Sequence, residues 1–351
     1  MPQPREQFSS EELAIVLSHY DLGIVTAVNE LPRGSHAAAK LIITTTAGRY
    51  ILKRRPKGEV DPYRVAFSHS LQSYLASQNF PLPHLIGTRK ENNSMLKWGN
   101  SIYEVFEFIE GQPYDGNVVA TYAAGRTLGL YHLLVQQYQP QWDPPHGHYH
   151  DSPTVVTSFK PLAEVLARSE STHGRKREMV SLLKHLRAAY NAAAKAANEL
   201  GLPDWDSQIV HSDWHPGNML FDKGHVVAVI DYDAARIQPR VMDVANGCTQ
   251  FSFVAGGRDL AAWEDRTDDL RARRFLRGYD EVNVLSKVEL AAVPFLMQEV
   301  LIAQTIPPIL RTGNFAELDG FQFLQVVLRK VNWLTEHCSR FDLDTTDDQG
   351  P

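Results

Sequence analysis

Apolar and polar positions follow two different periods along this chain. Up to about residue 109 the apolar positions alternate, as they do in half-buried strands. The segments with this pattern are 24–28, 41–45, 49–52, 85–89 and 102–109. Helices begin at the capping box Ser9-Ser10-Glu11-Glu12 and at Asp61-Pro62. We therefore predict a five-stranded antiparallel sheet accompanied by a helix.

Helical spacing replaces the alternation after Glu110-Gly111-Gln112-Pro113, because Gly and Pro end the strand pattern. The segments with helical spacing are 121–136, 155–168, 176–200, 241–251, 260–279, 285–303 and 320–338. A short strand–loop–strand interrupts them. This order predicts an α+β fold with an N-terminal lobe, 1–111, and a mostly helical C-terminal lobe, 112–351. We expect the acidic tail 342–351 to be disordered.

Composition narrows the class of protein. A net charge of −6 and a pI near 6.2 disfavour a nucleic-acid binder, which would usually be basic. The two cysteines, Cys248 and Cys338, lie far apart, which favours reduced thiols and a cytoplasmic location. The N-terminus lacks the apolar core of a secretory signal, and no run of about 18 apolar residues suggests a membrane span.

The strongest chemical signal lies in the loop between two apolar runs, whose sequence is His211-Ser212-Asp213-Trp214-His215-Pro216-Gly217-Asn218. Asp213 follows a strand directly, where a carboxylate can accept a hydroxyl proton during attack on phosphorus. Asn218 and Asp231 offer one neutral and one charged oxygen, which suits Mg²⁺ with phosphate oxygens and waters. One base and two oxygen ligands predict phosphoryl transfer from a Mg-nucleotide.

This loop resembles a known family. The pattern H-x-D-x-H-x-x-N, followed by a strand and I-D-Y-D, is similar to that of the aminoglycoside phosphotransferase and choline kinase superfamily, which includes type II homoserine kinases. The resemblance covers roughly residues 20–250. It implies a protein-kinase-like two-lobe fold, with ATP and Mg²⁺ as cofactors and a hydroxyl of a small metabolite or aminoglycoside-like substrate as acceptor.

The resemblance also implies a role for each matching residue. Asp213 would be the catalytic base, and Asn218 and Asp231 would hold Mg²⁺. Structural support of the catalytic loop would come from His211, His215 and Asp243. ATP would be bound by Lys53, by the Gly34-Ser35 turn and by an inter-lobe hinge that contains Phe106, Glu107 and Ile109. Arg54, Arg55 and Lys57, near the lysine, are expected to form an exposed rim.

One position departs from the family pattern. The first lobe's helix usually carries a Glu that pairs with the strand lysine, but here the position falls at Ser68 or His69. Lys53 then needs another partner, and a catalytically weak, nucleotide-binding pseudokinase stays open as an alternative.

Another alternative is a metal-dependent hydrolase that uses His211, Asp213 and His215, with a second alternating cluster at 146–150. Such an enzyme would give no reason for Asn218 or Lys53. A protein kinase is disfavoured because helical sequence begins almost directly after Asp231, which leaves little room for a peptide-docking segment. Oligomeric state and the identity of the acceptor are not specified by these patterns.

Overall fold

The computed structural model describes residues 7–31, 39–55, 61–257 and 259–341. The helices in these ranges are α1 (Ser10–Ser18), α2 (Pro62–Ser77), α3 (Val118–Val135), α4 (Pro153–Leu166), α5 (Lys176–Glu199), α6 (Arg240–Ser252), α7 (Asp269–Val282), α8 (Lys287–Thr312) and α9 (Gly320–Glu336). The strands are β1 (Val25–Glu30), β2 (Ala39–Thr45), β3 (Arg49–Arg54), β4 (Leu85–Ile86), β5 (Leu96–Trp98), β6 (Ser101–Glu107), β7 (Ser207–Val210), β8 (Met219–Asp222), β9 (His225–Val229), β10 (Arg236–Pro239), β11 (Asn314–Phe315) and β12 (Leu318–Asp319).

The chain divides into two compact units. The first comprises the described residues of Met1–Tyr114 together with Gln137–Pro145 and Gly217–Ala235. The second comprises Asp115–Gln136, His146–Pro216 and the described part of Arg236–Pro351. Two segments that follow residue 111 thus belong to the first unit, and one of them carries Asn218 and Asp231.

An antiparallel sheet forms most of the first unit. Its strands run in the order β1-β2-β3-β6-β4, and β5 pairs with β6. Alternate residues of β2, among them Leu41 and Ile43, are buried in a core that α1 also enters. The capping box of α1 is confirmed, because the Ser9 hydroxyl accepts from the Glu12 amide while the Glu12 carboxylate accepts from the Ser9 amide. The predicted α+β class is therefore confirmed.

Within the described residues, the sheet has six strands rather than the five predicted. The additional strand is β5, whose three residues pair with β6 through a tight turn, with Trp98 opposite Ser101. Gly99 in that turn has φ +58°, a conformation that glycine adopts at little cost. Three residues are too few to display a recognisable alternation, which is why the sequence pattern missed this strand.

Helices α3 and α7 of the second unit cross at very short range. A Cβ on Gly125 would lie 2.0 Å from the carbonyl oxygen of Phe275, and a Cβ on Gly278 would lie 2.1 Å from that of Tyr122. Neither glycine has a positive φ, so close backbone approach, not chain flexibility, requires these residues.

The predicted helix 260–279 is wrong in its first half. A short turn at Leu260–Ala262 is followed by irregular chain, and α7 begins only after Asp268, whose side chain caps the Arg271 amide. Lys330 donates to the carbonyl oxygens of Glu264 and Arg266 at 2.9 and 2.8 Å. Carbonyls satisfied by a distant helix need no helical partner, and helical spacing alone does not reveal this.

Helix α8 is longer than predicted, since it continues beyond residue 303 through Pro307 and Pro308 and ends at Gly313, with φ +79°. Proline fixes φ near the helical value, and packing against α5 and α6 retains the helix. Among the described residues, α8 alone is long and apolar enough to cross a membrane, but 72% of its most apolar window is buried, as in a core helix.

Candidate active site

The loop that carries Asp213 lies in the second unit and is anchored to helix α6. Strand β7 pairs with β10 and leads directly into the buried His211. Asp243, which is fully buried near the start of α6, accepts hydrogen bonds from the amides of His211 and Ser212 at 2.8 and 2.9 Å. Ser212 has φ +65°, a conformation that costs a non-glycine residue about 1 kcal/mol or more. The buried carboxylate therefore stabilises a strained turn immediately before Asp213.

Asp213 is half-exposed, so its carboxylate can meet a ligand from solvent. Its amide donates to Nδ1 of His211 at 3.3 Å, and its Oδ2 lies 3.5 Å from Nε2 of His215. His132 also contacts Asp243, with Nε2 at 3.3 Å from Oδ2, the oxygen that accepts from the His211 amide. Nδ1 of His132 lies 2.9 Å from the Tyr279 hydroxyl. The second unit thus brings together Asp213 and the three residues predicted to support its loop.

Three carboxamides extend this network, and the sequence reading missed them. Nδ2 of Asn246 lies 3.5 Å from the carbonyl oxygen of Ser212, the long end of the hydrogen-bond range. Gln304 of α8 donates to Oδ1 of Asn246 at 2.8 Å and accepts from Gln250 at 2.6 Å. Asn246 follows Asp243 by three positions, so the two side chains share a face of α6. That spacing is the one sequence signal that could have identified it.

Asn218 and Asp231 lie in the first unit, at the ends of the β8–β9 hairpin. Met219 pairs with Val229, and the amide of Ile230 donates to the carbonyl oxygen of Asn218 at 2.9 Å. Asp231 is exposed and has φ +66°, a second strained position in the candidate site. The hairpin thus places Asn218 and Asp231 at neighbouring ends of its two strands.

Lys53 finds its carboxylate partners in the sheet and in the turn Tyr232–Ala234. Its Nζ lies 2.9 Å from Oδ2 of Asp233 and 3.8 Å from Oε2 of Glu104, which stands opposite Lys53 in the β3–β6 register. Burial alone would lower the pKa of Lys53, but the two carboxylates raise it above its ordinary value. Lys53 is therefore charged at neutral pH.

Glu104 occupies the place left by the missing helix acid. Its side chain is fully buried, and Oε1 lies 2.5 Å from Nε2 of His69, at one of the two helix positions where the sequence pattern lacks a Glu. Burial would raise the pKa of Glu104, but the hydrogen bond from His69 and the charges of Lys53 and Arg55 lower it. The carboxylate near Lys53 thus comes from strand β6, whereas the family resemblance predicted one on the first lobe's helix.

The expectation of an exposed basic rim is wrong for Arg54 and Arg55, while Lys57 lies outside the described residues. Arg54 and Arg55 expose only 7% and 9% of their surface. Arg54 pairs with Glu12 at 2.7 Å, while Arg55 contacts both Glu104 and Asp233. Arg54 is the last residue of β3 and Arg55 follows it directly, where consecutive side chains of an extended chain point to opposite sides. Each arginine therefore enters a different set of contacts. A run of basic letters does not reveal which of them are paired.

The predicted hinge lies at the end of β6. Phe106, Glu107 and Ile109 are each partly exposed. The Glu107 amide donates to the carbonyl oxygen of His84 at 2.9 Å, whereas the Ile109 amide makes no hydrogen bond within the described part of the chain. Gly34 and Ser35, the predicted phosphate turn, lie outside the described residues.

The histidine-rich loop does not form a metal centre. His146 and His148 line a cavity of about 500 Å³ in the second unit, and His150 pairs with the buried Glu299 at 2.7 Å. Within the ranges that the structure describes, no three His, Cys, Asp or Glu side chains come together as a metal site. The hydrolase alternative therefore gains no support from this cluster.

The fold and these contacts define a small-molecule phosphotransferase with a kinase-like architecture. Residues 27–279 match the phosphotransferase enzyme family (APH), which is most of the chain, and the chain belongs to that family. The predicted family resemblance and the predicted enzyme class, a phosphotransferase with an alcohol group as acceptor, are confirmed. The family assignment also replaces the hydrolase alternative.

Known relatives agree with this assignment. The homoserine kinase of Afipia carboxidovorans is 25% identical over 291 residues, covering 82% of this chain and 80% of that protein. An aminoglycoside phosphotransferase from Alicyclobacillus acidocaldarius has a similar structure, with a TM-score of 0.69, 17% identity and coverage of 97% and 99% of the two chains. A microcompartment-associated aminopropanol kinase has the same TM-score, with 14% identity and coverage of 95% and 99%.

Proposed function

We propose that this chain transfers the γ-phosphoryl group of ATP to the hydroxyl of a small amino alcohol or hydroxylated amino acid, with homoserine as the first candidate. The acceptors named for its relatives, homoserine and aminopropanol, each carry both a hydroxyl and an amine. Their common chemistry narrows the class that the sequence pattern left open.

The observation that carries the proposal is the strained, doubly anchored turn before Asp213. Asp243 uses both carboxylate oxygens on the two preceding amides and so orients the turn that presents the half-exposed Asp213. A positioned carboxylate can accept the acceptor's hydroxyl proton, which typically contributes about 10²–10⁴ in rate. We assign this role to Asp213 and structural support of its loop to His211, His215 and Asp243.

The residues of the β8–β9 hairpin fit Mg²⁺. The ion prefers oxygen ligands and is commonly held by one or two carboxylates together with phosphate oxygens and waters. Asp231 and Asn218 supply such oxygens. The backbone hydrogen bond from Ile230 to Asn218 links the two segments that carry them. When bound, Mg²⁺ would neutralise charge on the transferred phosphoryl group. Lys53 would position the phosphates, and Phe106, Glu107 and Ile109 would receive the adenine.

The division into an ATP-binding lobe, 1–111, and a substrate lobe, 112–351, is part of this proposal. A cytoplasmic location stays a prediction, to which the two free cysteines are relevant. The expectation that neither nucleic acid nor a membrane is a partner also stays a prediction.

A coupled assay of ADP release tests the proposal. Homoserine, aminopropanol, ethanolamine, choline, an aminoglycoside and a simple sugar would be compared, and Asp213→Asn would serve as the control. We expect turnover with at least one amino alcohol, lost in the variant by a factor of about 10² or more. Turnover with the sugar alone would refute the acceptor class, and no turnover with a full metabolite panel would favour the pseudokinase.

A further inference from the structure

Arg55 lies at the centre of a charge cluster, which we define as Lys53, Arg55, Glu104 and Asp233. Arg55 and Glu104 are buried, whereas Asp233 exposes 35% of its side chain. Its amide donates to the carbonyl oxygen of Ile102 at 2.9 Å, which attaches its backbone to β6. The guanidinium then reaches the turn after β9, where Nη1 lies 2.9 Å from Oδ2 of Asp233 and Nη2 lies 2.7 Å from Oδ1. Two parallel bonds of this kind fix the orientation of the carboxylate as well as its position.

Glu104 holds the other side of the guanidinium, because its Oε1 lies 2.7 Å from Nη2 of Arg55. Glu104 is fully buried and Arg55 nearly so. The cluster contains two cations and two anions, so its charges balance. The strong interactions with Glu104 and Asp233 hold the pKa of Arg55 above its ordinary value despite burial. The Arg55 guanidinium is therefore always charged, and it links Glu104 of β6 to Asp233 in the turn after β9.

The turn that Arg55 holds begins at the candidate metal ligand. Asp231 has φ +66°, and Asp233 follows it by two residues. Tyr232, between them, is buried, while the Asp231 side chain is exposed. A strained residue persists only where its surroundings hold it, and the bidentate contact with Asp233 is a strong restraint next to Asp231.

We propose that Arg55 is a positioning residue for metal binding: its bidentate contact with Asp233 holds the 231–235 turn so that Asp231 presents its carboxylate to the Mg-nucleotide. This inference rests on the proposed function. Lys53 also contacts Asp233, but its role at the phosphates requires it to turn toward the nucleotide. Arg55 has no proposed contact with the nucleotide and keeps the turn in place. Its planar guanidinium matches both oxygens of the Asp233 carboxylate, which the single ammonium group of a lysine does not.

The test compares two adjacent arginines. Arg55→Lys keeps the charge and removes the fork, and Arg54→Lys is the matched control, since Arg54 is equally buried but pairs with Glu12. Mn²⁺ binding to the nucleotide complex would be measured by electron paramagnetic resonance, metal-free ATP binding by calorimetry, and amide hydrogen exchange of the 231–235 turn by mass spectrometry.

We expect Arg55→Lys to weaken Mn²⁺ binding about 10–100-fold, the usual effect of removing a group that orients a metal ligand. Binding of metal-free ATP should change by less than about threefold, while exchange in the turn accelerates. Arg54→Lys should change none of the three. Asp233→Asn removes the same fork from its other end, so the double variant should be no worse than the more severe single variant.

Unchanged Mn²⁺ binding in Arg55→Lys, or an equal loss of metal-free ATP binding, would overturn the inference. Additive effects in the double variant would do the same. Hydrogen exchange needs neither nucleotide nor turnover, so unaltered exchange in the turn refutes the positioning role even if the protein binds no Mg-nucleotide. A wild-type protein that binds none refutes the proposed function separately.

Discussion

Replacing Asp243 by Asn should weaken the support of the Asp213 loop while leaving the Asp213 carboxylate itself unchanged. The wild-type carboxylate is fully buried and accepts from the His211 and Ser212 amides and from His132. Asn has nearly the same shape but only one acceptor oxygen, and its NH₂ group would face a donor. The substitution therefore removes at least one charge-assisted hydrogen bond without opening a cavity.

The expected magnitude follows from these contacts. A hydrogen bond to a charged group contributes about 1.5–3 kcal/mol, and the left-handed Ser212 adds about 1 kcal/mol of strain that is no longer offset. We expect the free energy of unfolding to fall by about 2–4 kcal/mol in total. The rate constant kcat should fall about 10²-fold, because a small displacement of Asp213, the proposed base, costs that much, while KM for ATP changes little.

Urea unfolding and steady-state kinetics on the same preparations would measure both effects. Thr249→Val is a suitable control, since Thr249 is buried on the same helix and its hydroxyl bonds only to Ala245 within that helix. If Asp243→Asn unfolds and turns over like this control, the buried carboxylate does not hold the loop, and the reasoning from Ser212 strain is refuted.

Two further predictions concern the second unit. Burial lowers the pKa of His132, although the contact with Asp243 opposes this effect. The unfolded state therefore binds more protons than the folded state at low pH. The free energy of unfolding should fall as the pH drops below about 6.5, by at most about 1.4 kcal/mol per pH unit. The stability is fully present above that pH, and urea titrations of His132→Gln at pH 7.5 and 5.5 should show a flatter dependence. Gly125→Ala should lower the free energy of unfolding by about 1–3 kcal/mol or more, because the new methyl meets the Phe275 carbonyl, whereas Gly257→Ala has open space. Thermal unfolding of the two alanine variants would contradict this if both melted alike.

The local patterns of the sequence predicted much of this fold, since alternation marks β2 and β3 and a capping box marks α1. The interpretation of the Asp213 loop also began from local information, as strand, base and ligands lie within about twenty residues of each other. Such signals depend only on neighbours along the chain. They can therefore be recognised without knowing how distant segments of the chain pair.

What the sequence could not supply is register. Glu104 sits in an apolar strand pattern, and nothing local shows that it stands opposite Lys53, about fifty positions earlier. The same holds for Arg55, whose partner Asp233 lies far along the chain. The irregular segment before α7 escaped for a related reason, because Lys330 satisfies its carbonyls from another helix. Contacts between remote segments decide each of these features.

The pairing of Lys53 with a strand carboxylate has a consequence for control. In protein kinases the lysine's partner is carried by a helix, and moving that helix switches catalysis on and off. Here Lys53 and Glu104 sit on adjoining strands, so the backbone ladder keeps them together for as long as the sheet survives. A displacement of α2 would remove the contact of His69 with Glu104 but would leave Lys53 and Glu104 on their paired strands.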